Sequence, residues 1–235
     1  MSEREMTPNV IHPTALIGPD VALGTGNTIG PYAVFMGRCE IGDDNWFGPS
    51  VVVGAPAEGR SFSLELDDGM GVRIGNGNVI RELTTVHQGT HRRTAVGDDC
   101  YVMARSHVSH DVILSDGVTL STAVTLGGHT WVGEGANLGL GAVVHQWRCI
   151  GPHAMVGMQS AVTKDVLPGA LTLGVPAAVK GPNVVGLQRA GLDGAAVTSV
   201  ERWFERVLKG DAPEPPHALR DHFTAFTTAQ AHQEG

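Results

Sequence analysis

From Ile11 to Val162 an aliphatic or Phe residue returns at every sixth position: Ile11, Ile17, Leu23, Ile29, Phe35, Ile41, Phe47 and Val53 open the series, and the next position is often Gly. The phase is lost over Gly59 to Arg73 and returns at Ile74, Ile80 and Val86. It slips by four residues through His91 to Ala95, then runs unbroken from Val96 to Val162. A period of six matches neither the 3.6 of an α-helix nor a plain strand alternation, and this many registered units mark a stacked repeat. The physical reading is a prism with three faces of short parallel strands, each aliphatic residue pointing into the shaft and small residues turning the corners. Three hexads make one coil, so residues eighteen apart lie one above the other at about 4.8 Å, and the two phase breaks are loops that leave a coil and rejoin it.

After Pro168 the hexad fails. The prism is therefore expected over 11–176 and a small helical extension over 177–235. In the extension, Val197 to Leu208 sets Val200, Phe204 and Leu208 on one helical face, and Ala218 to Ala229 reads as a second helix beyond the Pro-rich stretch Ala212 to Pro216. The 32 glycines and 5% aromatic content fit tight repetitive turns better than an ordinary α/β core. A net charge of −8 disfavours nucleic acid as a partner. Cys39, Cys100 and Cys149 show neither disulfide nor zinc spacing and read as buried reduced thiols. With no secretory leader and no apolar run of membrane-spanning length, a soluble cytoplasmic protein is expected.

Counting hexads places the units VHQGTH, VSHDVI, LGGHTW and VHQWRC, which begin at Val86, Val108, Leu126 and Val144, on one face. That face holds His87, His110, Asp111, His129 and His145, with His107 at its edge. His87 and His145 share the second hexad position; Asp111 and His129 share the fourth. A lone His is more often structural, but five imidazoles with a carboxylate on one patch are what general-base chemistry needs. Zinc held by three imidazoles, as in γ-type carbonic anhydrases, is the rival reading, with His87 and His110 meeting across a subunit contact. A non-catalytic β-helix scaffold is a third.

Five stretches then carry a resemblance: IRELTTVHQGT (Ile80 to Thr90), SHVSHD (Ser106 to Asp111), LGGH (Leu126 to His129), AVVHQW (Ala142 to Trp147) and NVVGLQRAG (Asn183 to Gly191). Over about 11–192 the chain resembles the acyl-carrier-protein-dependent UDP-N-acetylglucosamine O-acyltransferases of lipid A biosynthesis. The resemblance implies an all-β left-handed parallel β-helix, a homotrimer with sites between subunits, and no cofactor beyond the donor's phosphopantetheine arm. That arm is carried by acyl-carrier protein or coenzyme A. It also implies His110 as general base, Asp111 as its partner and the Gly128 N–H as an oxyanion donor. His87, His107, His129, His145 and Gln146 match positions lining acceptor and donor. Asn183 and Arg189 match a tail segment that contacts nucleotide or donor. Met158 matches the floor of the acyl site and implies a shorter chain, against its alternative as a core residue. Arg92, Arg93, Arg148 and Lys164 are candidates for docking an acidic carrier protein.

The chain departs from the family's pattern at three places. Ala57 to Arg73 stands where the family has a Gln-Asp-Leu-Lys stretch that grips the acceptor sugar. Val185 replaces a carboxylate and Ala190 a second Arg, which removes a charge-assisted contact. The donor half of the site is thus retained and the acceptor half altered. Another sugar nucleotide, an amino-sugar analogue acylated on nitrogen, or a secondary-metabolite intermediate is open as acceptor.

Overall fold

The computed structural model describes residues 7–66 and 69–233. Its body is a parallel β-solenoid whose strands, mostly two or three residues long, fall into three sheets. Among the described residues the first sheet has ten strands, from Val10–Ile11 to Ala178–Pro182, the second eight, from Leu16–Ile17 to Ala161–Val162, and the third seven, from Val21–Leu23 to Cys149–Ile150. The stacking follows the eighteen-residue count: in the second sheet Leu126 pairs with Val144, and in the third Leu114 pairs with Val132. The four units that arithmetic placed together do stack, since Val86 pairs with Val108, Val108 with Leu126 and Leu126 with Val144.

Most hexads supply two inward residues rather than one, the half-buried Thr90 and Arg148 being exceptions at the fifth position. The aliphatic first position is buried from Ile29 onward, as at Phe47, Ile80, Leu120 and Val132. The fifth position is buried as well, and carries Ala33, Val51, Val112, Val118 or Ala154 at one corner or another. Where that fifth residue is polar it is satisfied along the stack. Asn45 Nδ2 donates to Asn27 Oδ1 (3.0 Å) and to the Gly75 carbonyl (2.9 Å), while Asn45 Oδ1 accepts from the Asn78 backbone N–H (2.9 Å). Burial of each first-position side chain contributes about 1.5–3 kcal/mol.

The corners correct one expectation. They do not depend on small residues, because the residue with positive φ is the fourth of the hexad and includes Tyr32, Leu83, Arg105, Asp111, His129 and Trp147. Its side chain points outward, so size is not penalised there. Glycine at the second position serves another purpose: a Cβ on Gly127 would lie 2.6 Å from the Gln146 backbone nitrogen in the next coil.

The ends of the prism differ. Ile11 in the first coil is 42% exposed, whereas the other end is closed. There the strand Ala170–Leu173 pairs antiparallel with Ala178–Pro182, so the segment from residue 177 begins as strand. Three helices follow: α1 (Val184–Arg189), α2 (Gly194–Leu208) and α3 (Arg220–Ala231). The first was not foreseen. Asp193 caps α2 by accepting from the Ala196 N–H at 2.8 Å. The buried face of α2 is Val197, Val200, Trp203 and Phe204, and Leu208, expected on that face, is 51% exposed. Helix α3 runs back along the third sheet and packs Phe226 and Ala229 near Cys149 and Trp131. The three cysteines are buried and free, and burial pushes Cys39 and Cys149 up to about 12 and Cys100 up to about 11. No described helix is long and apolar enough to cross a membrane.

Candidate active site

Both phase breaks leave the prism at the same corner, the one between the second and third sheets. The long excursion lies between the strands Val52–Ala55 and Val72–Ile74, and the short one between Thr85–His87 and Thr94–Val96. The two loops are tied to each other, with the Met70 N–H donating to the Gly89 carbonyl (2.9 Å) and the Gly89 N–H to that of Gly71 (3.2 Å). One coil further on, the same corner carries His110 and Asp111, and the next carries Gly128 and His129. The cluster sits at the edge where the second sheet turns, not on its flat face.

Asp111 is fully buried and receives an unusual number of donors. Its Oδ1 accepts from the backbone N–H groups of Thr90 (3.0 Å), His91 (2.8 Å) and Arg92 (2.8 Å). Its Oδ2 accepts from the Thr90 hydroxyl at 2.7 Å and faces His110 Nδ1 at 2.8 Å. Burial alone works to raise this carboxyl, but the bonds from His110, Thr90 and the loop amides outweigh it and hold Asp111 well below the usual carboxylate range. An ionised Asp111 accepts from the His110 Nδ1–H, which fixes the orientation of the ring and puts Nε2 on the side away from the carboxylate. Arg92 locks the same loop, donating Nε–H to the Asp111 carbonyl (2.9 Å) and an Nη2–H to the His129 carbonyl (3.2 Å).

The remaining geometry is built around that imidazole. A Cβ on Gly128 would lie 2.5 Å from His110 Cε1, so only glycine leaves the ring its place. Gly128 opens its corner turn, and its N–H has no hydrogen-bond partner among the described residues. His129 stands edge-on to His110 at 5.1 Å, and its Nε2 is 3.6 Å from Asp111 Oδ2. Burial, only partly offset by Asp111, pulls His129 down to about 4, so it is neutral at pH 7. Trp147, one coil above at the same hexad position, stacks flat on His129 at 3.6 Å and 6°. Phe62 of the long loop meets the His110 ring at 5.1 Å.

His87 and His107 sit beside this centre on the second sheet, their rings 4.9 Å apart. Burial lowers both imidazoles. Thr85 Oγ1 bonds His107 Nδ1 at 2.7 Å, and Glu58 of the long loop faces His107 Nε2 at 3.4 Å.

Other residues singled out in the sequence lie elsewhere. His145 and Gln146 are exposed one coil above, and His145 Nδ1 meets only the Gln146 carbonyl (3.0 Å) among the described residues. Met158 is 68% exposed at the corner between the first and second sheets, so it is not a core residue. Asn183 caps α1, accepting from the Gly186 N–H (3.2 Å) and donating to the His153 carbonyl (2.9 Å). With Arg189 it lines a groove of about 550 Å³ over the first sheet, together with Asn137, His153 and Met155. Of the four basic residues expected to form a docking patch, Arg92 is committed to the site, Arg93 pairs with Glu40 and Arg148 with Asp165, leaving Lys164 exposed. Thr90, Arg92, Phe62 and Trp147 were not picked out as site residues. Only Thr90 and Trp147 fell within the quoted motifs.

Among the described residues, two trios bring one ligand atom each within 4.8 Å: His91, Asp111 and His129, and Glu58, His87 and His107. In the first, the Asp111 oxygens are already saturated by His110, Thr90 and the loop amides.

No family model matches the chain. Among characterised proteins it is similar to the acyl-(acyl-carrier-protein) UDP-N-acetylglucosamine O-acyltransferase of Verminephrobacter eiseniae, 34% identical over 220 residues, 85% of this chain and 83% of that one. The chain belongs to that enzyme family. The Sinorhizobium fredii relative is 36% identical, covering 83% of this chain and 70% of its own. The solved UDP-N-acetylglucosamine acyltransferase of Campylobacter jejuni superposes with a TM-score of 0.77 at 24% identity, over 96% of this chain and 92% of that one. The Francisella novicida enzyme gives 0.71 at 26%, over 96% and 87%.

Proposed function

We propose that this chain transfers an acyl group from the phosphopantetheine thioester of acyl-carrier protein to UDP-N-acetylglucosamine or a closely related sugar nucleotide. The carrying observation is the buried, donor-saturated Asp111 bonded to His110 Nδ1, beside a Gly128 N–H that has no hydrogen-bond partner among the described residues. His110 Nε2 takes the proton from the acceptor hydroxyl as its oxygen attacks the thioester carbonyl carbon. The Gly128 N–H receives the developing oxyanion. Collapse of the tetrahedral intermediate breaks the C–S bond, and the imidazolium returns the proton to the leaving thiolate. Family membership favours this chemistry over the zinc-hydrolase and scaffold readings.

The assembly proposed for it is a left-handed prism in a homotrimer. What supports the trimer is the separation of two half-sites on one chain: His110 stands at the corner between the second and third sheets, and the Asn183–Arg189 groove on the first. A neighbouring copy unites them. An exposed apolar column of Leu83 (55%), Leu140 (49%), Val143 (46%) and Met158 (68%), at and beside the corner between the first and second sheets, also favours a covered face. Free thiols at all three cysteines suit a cytoplasmic location.

The test is thiol release and product mass with acyl-carrier-protein thioesters and UDP-N-acetylglucosamine, alongside His110→Ala. Turnover that the substitution abolishes is expected. Turnover at the same rate in the variant overturns the assignment of the base, and turnover only on a different acceptor reassigns the substrate.

A further inference from the structure

We infer that Glu58, His87 and His107 form a binding site for a borderline divalent cation of the zinc type, which staples the long loop to the second sheet beside the active corner. One ligand atom from each residue lies within 4.8 Å of the other two. One edge, His107 Nε2 to Glu58 Oε2, is 3.4 Å. That is the separation two ligands take on a tetrahedral ion with bonds of about 2.0–2.1 Å. Two imidazoles and one carboxylate form a common zinc donor set that leaves a fourth position open for water or a sugar hydroxyl.

Three observations make the trio more than a chance approach. The His107 ring is held from behind by Thr85 Oγ1 at 2.7 Å on Nδ1. A proton shared there leaves the Nε2 lone pair facing Glu58, which is the outer-shell arrangement that orients a metal-bound His. The Nδ1 of His87 is buried with no hydrogen bond of ordinary geometry among the described residues, and the Pro56 backbone at the base of the long loop is the polar group that acts on this imidazole. The two imidazoles are also packed edge to face, their ring centroids 4.9 Å apart, which holds both donors on the same side of the loop. The second trio does not compete, because the Asp111 oxygens are already taken up.

The consequence follows from where Glu58 sits. His87 and His107 belong to strands of the prism, but Glu58 lies on the excursion that carries Phe62 over His110. An ion shared by the three fixes the base of that excursion. Arg60, two residues on, is exposed and reports on it.

The experiment uses the full chain freed of metal with a chelator and titrated with Zn²⁺ by calorimetry, with Co²⁺ as the spectroscopic probe and trypsin cleavage after Arg60 as the structural readout. One zinc per chain is expected, with intense tetrahedral-type Co²⁺ bands and cleavage after Arg60 slowed at least tenfold. Glu58→Gln is expected to weaken binding at least tenfold and to restore cleavage. No binding, or binding that Glu58→Gln leaves unchanged while Asp111→Asn removes it, overturns the assignment. Because metal binding is read without acyl donor or acceptor, its failure is distinct from a failure of the acyltransferase reading.

Discussion

Replacing Gly128 by Ala tests whether the site depends on the exact seat of the His110 ring. The new Cβ would stand 2.5 Å from Cε1, 2.6 Å from Nε2 and 3.1 Å from Nδ1, where ordinary carbon contacts begin near 3.5 Å. The ring must therefore retreat by about 1 Å. It is tethered by a 2.8 Å bond to Asp111, and Asp111 is pinned by Thr90, His91 and Arg92, so the ring swings on that tether rather than moving with it. A misplacement of about 1 Å at a reacting group costs roughly 10²-fold in rate, equivalent to about 2.7 kcal/mol of transition-state stabilisation. Stability should change much less. Gly128 is not among the residues with positive φ, so Ala brings no backbone strain, and weakening one hydrogen bond costs about 1 kcal/mol. That corresponds to a melting shift of about 2–4 °C in a chain of this size. The assay is steady-state thiol release with parallel thermal denaturation. A kcat within threefold of wild type would refute the argument. So would a loss of activity accompanied by a melting drop of 10 °C or more, because the effect would then belong to the fold.

Two further outcomes are expected from the same structure. His129 titrates near 4 when folded and near 6.5 when unfolded, so the unfolded chain binds the extra proton first as pH falls. Stability should drop between about pH 6.5 and 4, by up to about 3 kcal/mol from this group, and the loss from Asp111 should begin only below that window; denaturant melts of wild type and His129→Asn should show a flatter profile in the variant. Asn45→Ala removes the partners of the Asn78 N–H and the Gly75 carbonyl in a buried ladder, and should cost about 3 kcal/mol in a urea melt, whereas a cost below 1 kcal/mol would mean that the ladder is not stabilising.

The first hexad position was legible because one chemical type, an aliphatic or Phe residue, recurs there in every coil, on both sides of the two phase breaks. The fifth position is buried just as thoroughly but was not read. Asn45, Val51, Cys100 and Ala136 all occupy it, and no single chemistry announces it. The His110, Asp111 and His129 grouping was legible because an eighteen-residue coil turns sequence spacing into spatial stacking by counting alone. The cage around Asp111 was not, since Thr90, His91 and Arg92 belong to an inserted loop whose path obeys no period. For the same reason the approach of the chain's end was missed. Gln233, just past α3, donates its side-chain amide to the His129 carbonyl, so the helical tail reaches the active corner as well as closing the prism.

These failures share a cause that also explains where the chemistry is found. A repeating coil presents the same outward positions at about 4.8 Å intervals, which can align imidazoles but cannot enclose them or hold a carboxylate away from water. Enclosure needs atoms that depart from the repeat. At this corner the chain supplies them through two inserted loops, and that is where its buried ionised carboxylate stands. The long loop places Phe62 against His110 and Glu58 against His107, so it is the inserted segment best placed to affect which acceptor reaches the corner. Exchanging that loop should move acceptor KM while leaving the Asp111–His110 hydrogen bond, and with it most of kcat, in place.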